Sequence, residues 1–255
     1  MAERIETDAL VIQRFPYGES SQVVHLLTEA LGRVAVLARG SHRPKNSCEG
    51  PLDLLVRGRV TLSLLAGREL GMLLARRIAT DHPALRRHLG RHTAACALLQ
   101  RVLHFEPVGG GHGAYPLLER ALLALEQIAP ERIELLRLKF DVGLLELHGL
   151  RPDLDQCVRC GSPRRLARFV TSDGGVVCTH CLVRRDEGAP VDGATAALLR
   201  GLPRTPLREV ASPSPPVLSR ARRLVDLHLG WHADAAPDAA RASSRPTSRW
   251  RLPRG

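Results

Sequence analysis

The amino-acid sequence predicts an α+β protein: a small N-terminal β-barrel, then a helical bundle into which a four-cysteine ribbon is inserted. Three observations predict this class. Apolar residues recur with a period near two as far as about residue 80, and with the helical period of 3.6 beyond it. Two Cys-x-x-Cys pairs follow the most apolar of the helical segments. A one-sided basic stretch, Gly32 to Lys45, reads as a strand feeding a loop.

Residues 1–80 hold five strand candidates: Thr7 to Arg14, Ser21 to Thr28, Gly32 to Arg39, Leu52 to Leu65 and Glu69 to Ala79. Turn chemistry separates them at Phe15-Pro16-Tyr17-Gly18, Gly40 to Gly50 and Ala66-Gly67. Five strands in so short a span suit a closed barrel. The OB-fold has this size, and its strand 2–3 face binds oligonucleotides; strand count alone leaves an SH3-like barrel open. Only Phe15 and Tyr17 are available to stack on bases, so nucleic-acid binding here would be mostly electrostatic.

The stretch Gly32 to Lys45 carries Arg33, Arg39, Arg43 and Lys45, with His42, and no carboxylate. A solvated basic loop is one reading. The other is a phosphate-tracking edge, because cations on a rigid strand and its exit loop neutralise successive phosphates and release their counterions. If all four Arg and Lys side chains reach one strand, the salt slope from this stretch is about −3, at roughly −0.7 per contact.

From residue 81 the pattern is helical. Asp81 and Pro83 open a helix that runs to about His104 on Leu85, Leu89, Cys96, Leu99 and Leu103. Glu106 to Gly113 is a glycine-rich loop, and a second helix runs from Pro116 to about Ile128. Pro130 opens a third, apolar nearly all round until Gly149, which should be the buried centre of the bundle. Thr195 to Leu202, preceded by Asp192, and Pro216 to Trp231, with Arg220, Arg222 and Arg223, supply two more. The expected organisation is a barrel at 1–80, a helical domain at 81–232 with its ribbon at about 154–184, and a disordered basic tail at 233–255.

Cys157, Cys160, Cys178 and Cys181 have the spacing C-x2-C-x17-C-x2-C. Each pair sets two thiolates on a tight knuckle, and two knuckles close a tetrahedron, which predicts one structural Zn2+ with no position left for water. Phe169-Val170 and Val176-Val177, about the turn Ser172 to Gly175, supply the hairpin of a zinc ribbon. A redox dithiol is the competing reading and lacks a strand-to-helix setting. His180 is an alternative ligand, although Cys181 completes the second pair without it. Cys96 reads as a core residue and the pair His88 and His92 as solvated.

The 255 residues carry 37 Lys and Arg against 26 Asp and Glu, a formal charge of +11. That charge favours a polyanionic partner, nucleic acid before an acidic membrane surface. The N-terminus lacks the apolar core of a secretory signal, and no apolar run approaches the roughly 18–20 residues of a membrane span, so a cytoplasmic protein is expected. The sequence has no phosphate-binding Gly-Lys-Ser/Thr loop, dinucleotide fingerprint, nucleophile elbow or catalytic carboxylate pair, so no enzymatic activity is expected.

The segments Thr7-Asp8-Ala9-Leu10-Val11-Ile12, Arg14-Phe15-Pro16-Tyr17-Gly18-Glu19, Leu26-Leu27-Thr28, Gly32-Arg33 with Ala38-Arg39-Gly40, and Leu150-Arg151-Pro152-Asp153-Leu154-Asp155-Gln156-Cys157 carry a further signal. Together with the barrel, helices and ribbon they resemble the RecO family of DNA-repair recombination mediators, over residues 7 to about 231. The resemblance implies an OB-fold that binds single- and double-stranded DNA and anneals complementary strands, including strands coated by single-strand-binding protein. It also implies collaboration with RecR to load RecA, in the nucleoid-associated cytoplasm. Carried onto this sequence, the DNA-binding strand and loop fall on Arg33, Arg39, Arg43 and Lys45, to which the basic stretch adds His42 as a candidate, and the zinc ligands on the four cysteines. The alternatives are a generic zinc-ribbon or OB-fold nucleic-acid-binding factor of transcription or translation, and a metal-dependent enzyme. Annealing of complementary DNA separates the first from a mediator, and turnover that depends on an open-site metal separates the second.

Overall fold

The computed structural model describes residues 2–43, 50–65, 67, 69–109 and 113–235; Lys45, Cys48 and the expected tail beyond 235 lie outside them. Five strands close a barrel: β1 (Ala2–Tyr17), β2 (Ser21–Thr28), β3 (Gly32–Ala38), β4 (Arg57–Leu65) and β5 (Leu70–Thr80). Their order is β1-β2-β3-β5-β4, with β4 returning to β1. Neighbours are antiparallel except β3 and β5, which run parallel through Ala35–Leu70, Val36–Gly71 and Leu37–Met72. This five-strand Greek-key path is that of the OB-fold and removes the SH3-like alternative.

Two strand boundaries differ from the sequence expectation. β1 does not stop at Arg14 but runs through Phe15-Pro16-Tyr17, because one long strand must pair with β4 over Ala2 to Leu10 and with β2 over Ala9 to Tyr17. β4 begins at Arg57 and not at Leu52. Leu52 is instead tucked inward and held at its main chain by the buried Gln22 amide, which accepts from its N–H at 2.9 Å and donates to its carbonyl at 3.2 Å.

Alternate residues fill the barrel: Ala9 and Val11, Val24 and Leu26, Val34, Val36 and Ala38, Val60 and Leu62. The period of two assigns the intervening His25, Leu27 and Arg33 to the outer face, yet all three are buried. The residues that cover them belong to the same compact unit, which joins Met1–Pro83 with Val102–Tyr115. Val108 bridges to Arg33, and the Gly109 N–H donates to the Arg33 carbonyl at 2.8 Å.

The second unit joins Ala84–Arg101 with Pro116–Asp234. The helices are α1 (Pro83–Arg87), α2 (Leu89–Phe105), α3 (Ala114–Gln127), α4 (Ile133–Leu147), α5 (Gly193–Gly201) and α6 (Pro215–Ala235). The single helix expected from Pro83 to His104 is broken at His88. Leu89, expected on the apolar stripe, is 82% exposed, and the buried side is Leu85, Ala94, Ala95, Leu98, Leu99 and Val102. The Asp192 carboxylate caps α5, accepting from the Thr195 N–H at 2.7 Å. α6 continues through Ala233 to Ala235, so these residues of the expected tail are helical.

α4 is buried on most of its circumference, as its apolar stripes require, and Gly149 at φ 69° follows its end. One acid interrupts it. Asp141 is buried and meets Arg222 at 2.7 Å and Arg101 at 3.5 Å, while Asp226 meets the same two arginines at 2.9 and 2.8 Å. Burial raises the Asp141 carboxyl and the two guanidiniums oppose that shift. Other cations close helix ends: Arg91 donates to the Leu125 carbonyl and to Ile128 O at 2.8 Å after α3, and Lys139 to the Leu202 carbonyl and to Thr205 O at 2.9 Å after α5.

The ribbon has three strands, β6 (Leu166–Val170), β7 (Gly175–Cys178) and β8 (Gly188–Pro190), in the order β7-β6-β8. The hairpin β6–β7 matches the sequence expectation. β8 is an addition, and its three residues are too short to show a period.

Candidate nucleic-acid interface and candidate metal centre

Arg33 opens β3 on the outer face, and its side chain does not reach solvent. It is 2% exposed, and Nη1 donates to the carbonyls of Leu103 at 2.7 Å and Glu106 at 3.0 Å. The Leu103 carbonyl lies in the last turn of α2, where helix carbonyls lack intrahelical partners, and that of Glu106 directly follows the helix. Nε and Nη2 lie 3.3 and 3.1 Å from His25 Nδ1. Since a guanidinium only donates, Nδ1 accepts and the ring proton sits on Nε2. Burial, with the Arg33 charge adding to it, lowers the His25 pKa to about 4. The expectation that Arg33 tracks phosphates is therefore corrected: its donors are spent on the fold.

Arg39, His42 and Arg43 are exposed in the loop that leaves β3. Its start is fixed to the β1–β2 turn. Gly40 N–H donates to Ser21 Oγ at 3.0 Å, His42 N–H to Ser20 O at 3.0 Å, and Arg43 N–H to Gly40 O at 2.9 Å. The structure thus brings three of the expected residues together on one exposed loop, and separates Arg33 from them.

The four cysteine sulfurs all lie within 4.8 Å of one another, with Cys160 and Cys178 Sγ 3.8 Å apart, a group that could hold a metal ion. The first knuckle is closed by Gly161 N–H to Cys157 O at 2.8 Å, the second by Leu182 N–H to Cys178 O at 3.0 Å. Burial opposes ionisation of the Cys157 thiol, but backbone groups of Cys178, Arg159 and Cys160 outweigh it and bring its pKa to about 6. The hydrogen bond to Cys160 pushes Cys181 up to about 12. Four thiols this close cannot all ionise unaided, and a bound cation is what such a donor set suits.

Arg159, between the first two cysteines, is a residue that sequence reasoning did not single out. It donates to Asp173 at 2.7 Å, to Asp186 at 2.8 and 2.9 Å and to the Cys181 carbonyl at 2.8 Å, so one side chain ties the first knuckle to the hairpin turn and to the second knuckle. The hydrogen bonds from Arg159 hold the Asp186 carboxyl down at about 2. The partial signal was an arginine inside one Cys-x-x-Cys with an aspartate after each strand of the hairpin, although nothing in the sequence pairs them.

An OB-type barrel carrying a basic exit loop, with a helical unit that bears a four-thiol ribbon, defines an α+β protein of the OB-barrel class. Comparison with known proteins narrows it. The family profile for Recombination protein O N terminal matches residues 1–80, and that for Recombination protein O C terminal matches residues 89–241. The chain is 34% identical over 250 residues to the DNA repair protein RecO of Anaeromyxobacter sp. (strain Fw109-5), covering 90% of this chain and 93% of that one. It is 34% identical over 239 residues to the protein of the same description from Myxococcus xanthus, with 90% and 93% covered. For that of Cutibacterium acnes the figures are 31% over 241 residues, with 89% and 93% covered. The chain belongs to the RecO family of DNA repair proteins. Among the described residues no helix is long and apolar enough to cross a membrane.

Proposed function

We propose that the protein is a recombination mediator that binds single- and double-stranded DNA, anneals complementary single strands, and acts with RecR to load RecA onto strands coated by single-strand-binding protein. The observation that carries the reading is family membership along both halves of the chain, joined to an OB-type barrel with Arg39, His42 and Arg43 exposed on one pinned loop. Lys45 belongs to the same loop by sequence. The barrel at 1–80 is the DNA-binding domain of this proposal, joined to the helical domain at 81–232, in the nucleoid-associated cytoplasm.

Annealing of this kind uses no catalytic residue. Two complementary strands repel each other, and a basic surface that holds both by their phosphates screens that repulsion while leaving the bases free to pair. With two tryptophans, two tyrosines and four phenylalanines in the whole chain, base stacking is sparse, which keeps bound strands exchangeable.

The metal of this proposal is one structural Zn2+. A tetrahedral zinc site with Zn–S near 2.3 Å puts neighbouring sulfurs about 3.8 Å apart, the separation of Cys160 and Cys178. Cys157, Cys160, Cys178 and Cys181 would hold it, and the ion would supply cross-linking of the knuckles and no chemistry.

The test is the affinity for mixed-sequence single-stranded DNA as salt is raised, with a pull-down against RecR and single-strand-binding protein. With Arg33 removed from the set, Arg39, Arg43 and Lys45 account for a slope of roughly −2, which the triple Ala variant should lose. Salt-independent affinity, or capture of neither protein, would contradict the reading.

A further inference from the structure

We infer that the phosphate track continues from the exit loop of β3 onto the outer face of β4 and β5, where Arg59 and Arg77 form a paired phosphate contact; the inference rests on the DNA-binding reading above and extends its surface. Part of the outer face of β2 and β3, the one an OB barrel ordinarily offers to a nucleic acid, is taken here by the chain itself: Arg33 and His25 are buried, and Arg33 is held by the carbonyls of Leu103 and Glu106 and by Gly109. On β4 and β5, by contrast, Arg59, Arg77, Ile78 and Ala79 are exposed.

Arg59 and Arg77 face each other directly across the antiparallel pair β4–β5, so their side chains share one face, and both are exposed. Like charges in that position oppose folding, and a polyanion laid over them relieves the repulsion. Asp8 of β1, also in register with Arg59, meets it at 3.5 Å, whereas Arg77 has no ion-pair partner among the described residues. The close approach is built in. A Cβ at Gly58 would stand 2.1 Å from the Arg77 carbonyl oxygen, so a glycine is required where the register shifts beside Arg59.

The pair is continuous with the loop. Because β3 and β5 are parallel and β4 is antiparallel to β5, the β3 exit loop lies at the barrel end where β5 finishes and β4 starts. Arg76 ties the returning loop there, donating to Gly50 O at 3.1 Å and Pro51 O at 3.3 Å. Arg57, half-buried two residues before Arg59 along β4, stands between the pair and that end of the barrel. Glu6 and Asp8 bound the row on the β1 side, with Glu6 accepting from the Thr61 hydroxyl at 3.4 Å. They confine a single strand to β4 and β5.

The full-length protein is titrated with salt on mixed-sequence single-stranded DNA, as wild type and as Arg59→Gln/Arg77→Gln and Asp8→Asn, and the thermal stability of the single Arg77→Gln variant is measured beside them. Without these two cations, each worth about 0.7 of slope, the double variant should show a slope flatter by about 1.4 and bind about 25-fold more weakly at 0.1 M salt. Asp8→Asn should tighten binding, and Arg77→Gln should leave thermal stability equal or higher, which a structural arginine would not do. A folded double variant with an unchanged slope, or Asp8→Asn with unchanged affinity, overturns the inference while DNA binding through the loop stands. Wild-type protein that does not bind DNA overturns the functional reading itself.

Discussion

The Arg33 guanidinium donates to the Leu103 carbonyl at 2.7 Å, so a residue at the start of β3 closes the end of a helix seventy positions later in the chain. Removing it leaves the carbonyls of Leu103 and Glu106 and the Nδ1 of His25 without that donor in a buried place. Arg33→Ala should therefore cost about 3–5 kcal/mol in urea denaturation, the range for deleting one partner of a buried charged network. The salt slope of DNA binding by the folded fraction should not change. A flattened slope with unchanged stability would return Arg33 to the phosphate-binding set.

His25 gives the same region a pH dependence. Its folded pKa of about 4 lies below the unfolded value of 6.5, so the native state holds fewer protons between the two. Its contribution is fully present above about pH 6.5, is lost as pH falls toward 4, and is constant below that. The shift corresponds to roughly 3 kcal/mol at most. Urea midpoints measured from pH 4 to 8 should fall on the acid side in wild type and fall less in His25→Gln.

Much of the barrel was legible from period alone. The alternation in β2, β3 and β4 assigns Val24, Leu26, Val34, Val36, Val60 and Leu62 to the interior, and the bounds of β2 are those read from the sequence. The fate of Arg33 was not legible. An arginine in a run of cations reads as solvated, and what buries it is encoded around residues 103–109, with no local mark on β3. A partial signal was the apolar character of both faces of β2, where Leu27 adjoins Leu26, which a half-exposed strand does not need.

The four cysteines were legible because metal geometry constrains spacing. Their clamp by Arg159 was not, since the partners Asp173 and Asp186 lie 14 and 27 residues away. The same holds for the cations in general. Arg33, Arg91, Arg132 and Lys139 serve buried or half-buried carbonyls, so part of the excess charge that suggests a polyanionic partner belongs to the fold.

Asp141 in α4 should prove costly to remove. Asp141→Ala leaves Arg222 and Arg101 facing each other with only the half-exposed Asp226, and should lower stability by about 3–5 kcal/mol. Differential denaturation against Asp226→Ala, whose carboxylate is partly solvated, checks this, and the Asp226 variant should lose markedly less.

Protein purified without added metal should contain one equivalent of zinc. Chelation or Cys178→Ser should lower the stability of the ribbon by several kcal/mol, because binding energy at such a site is folding energy. DNA affinity should be largely retained. Metal analysis well below one equivalent, with four freely titrating thiols, would sink the assignment.

The most direct measurement is the time course of annealing of two complementary oligonucleotides, followed by fluorescence quenching with and without the protein. The rate should lie well above the protein-free control, fall as salt rises, and fall also in the Arg39→Ala/Arg43→Ala/Lys45→Ala variant. A folded protein that gives no acceleration at any concentration would contradict the proposed function.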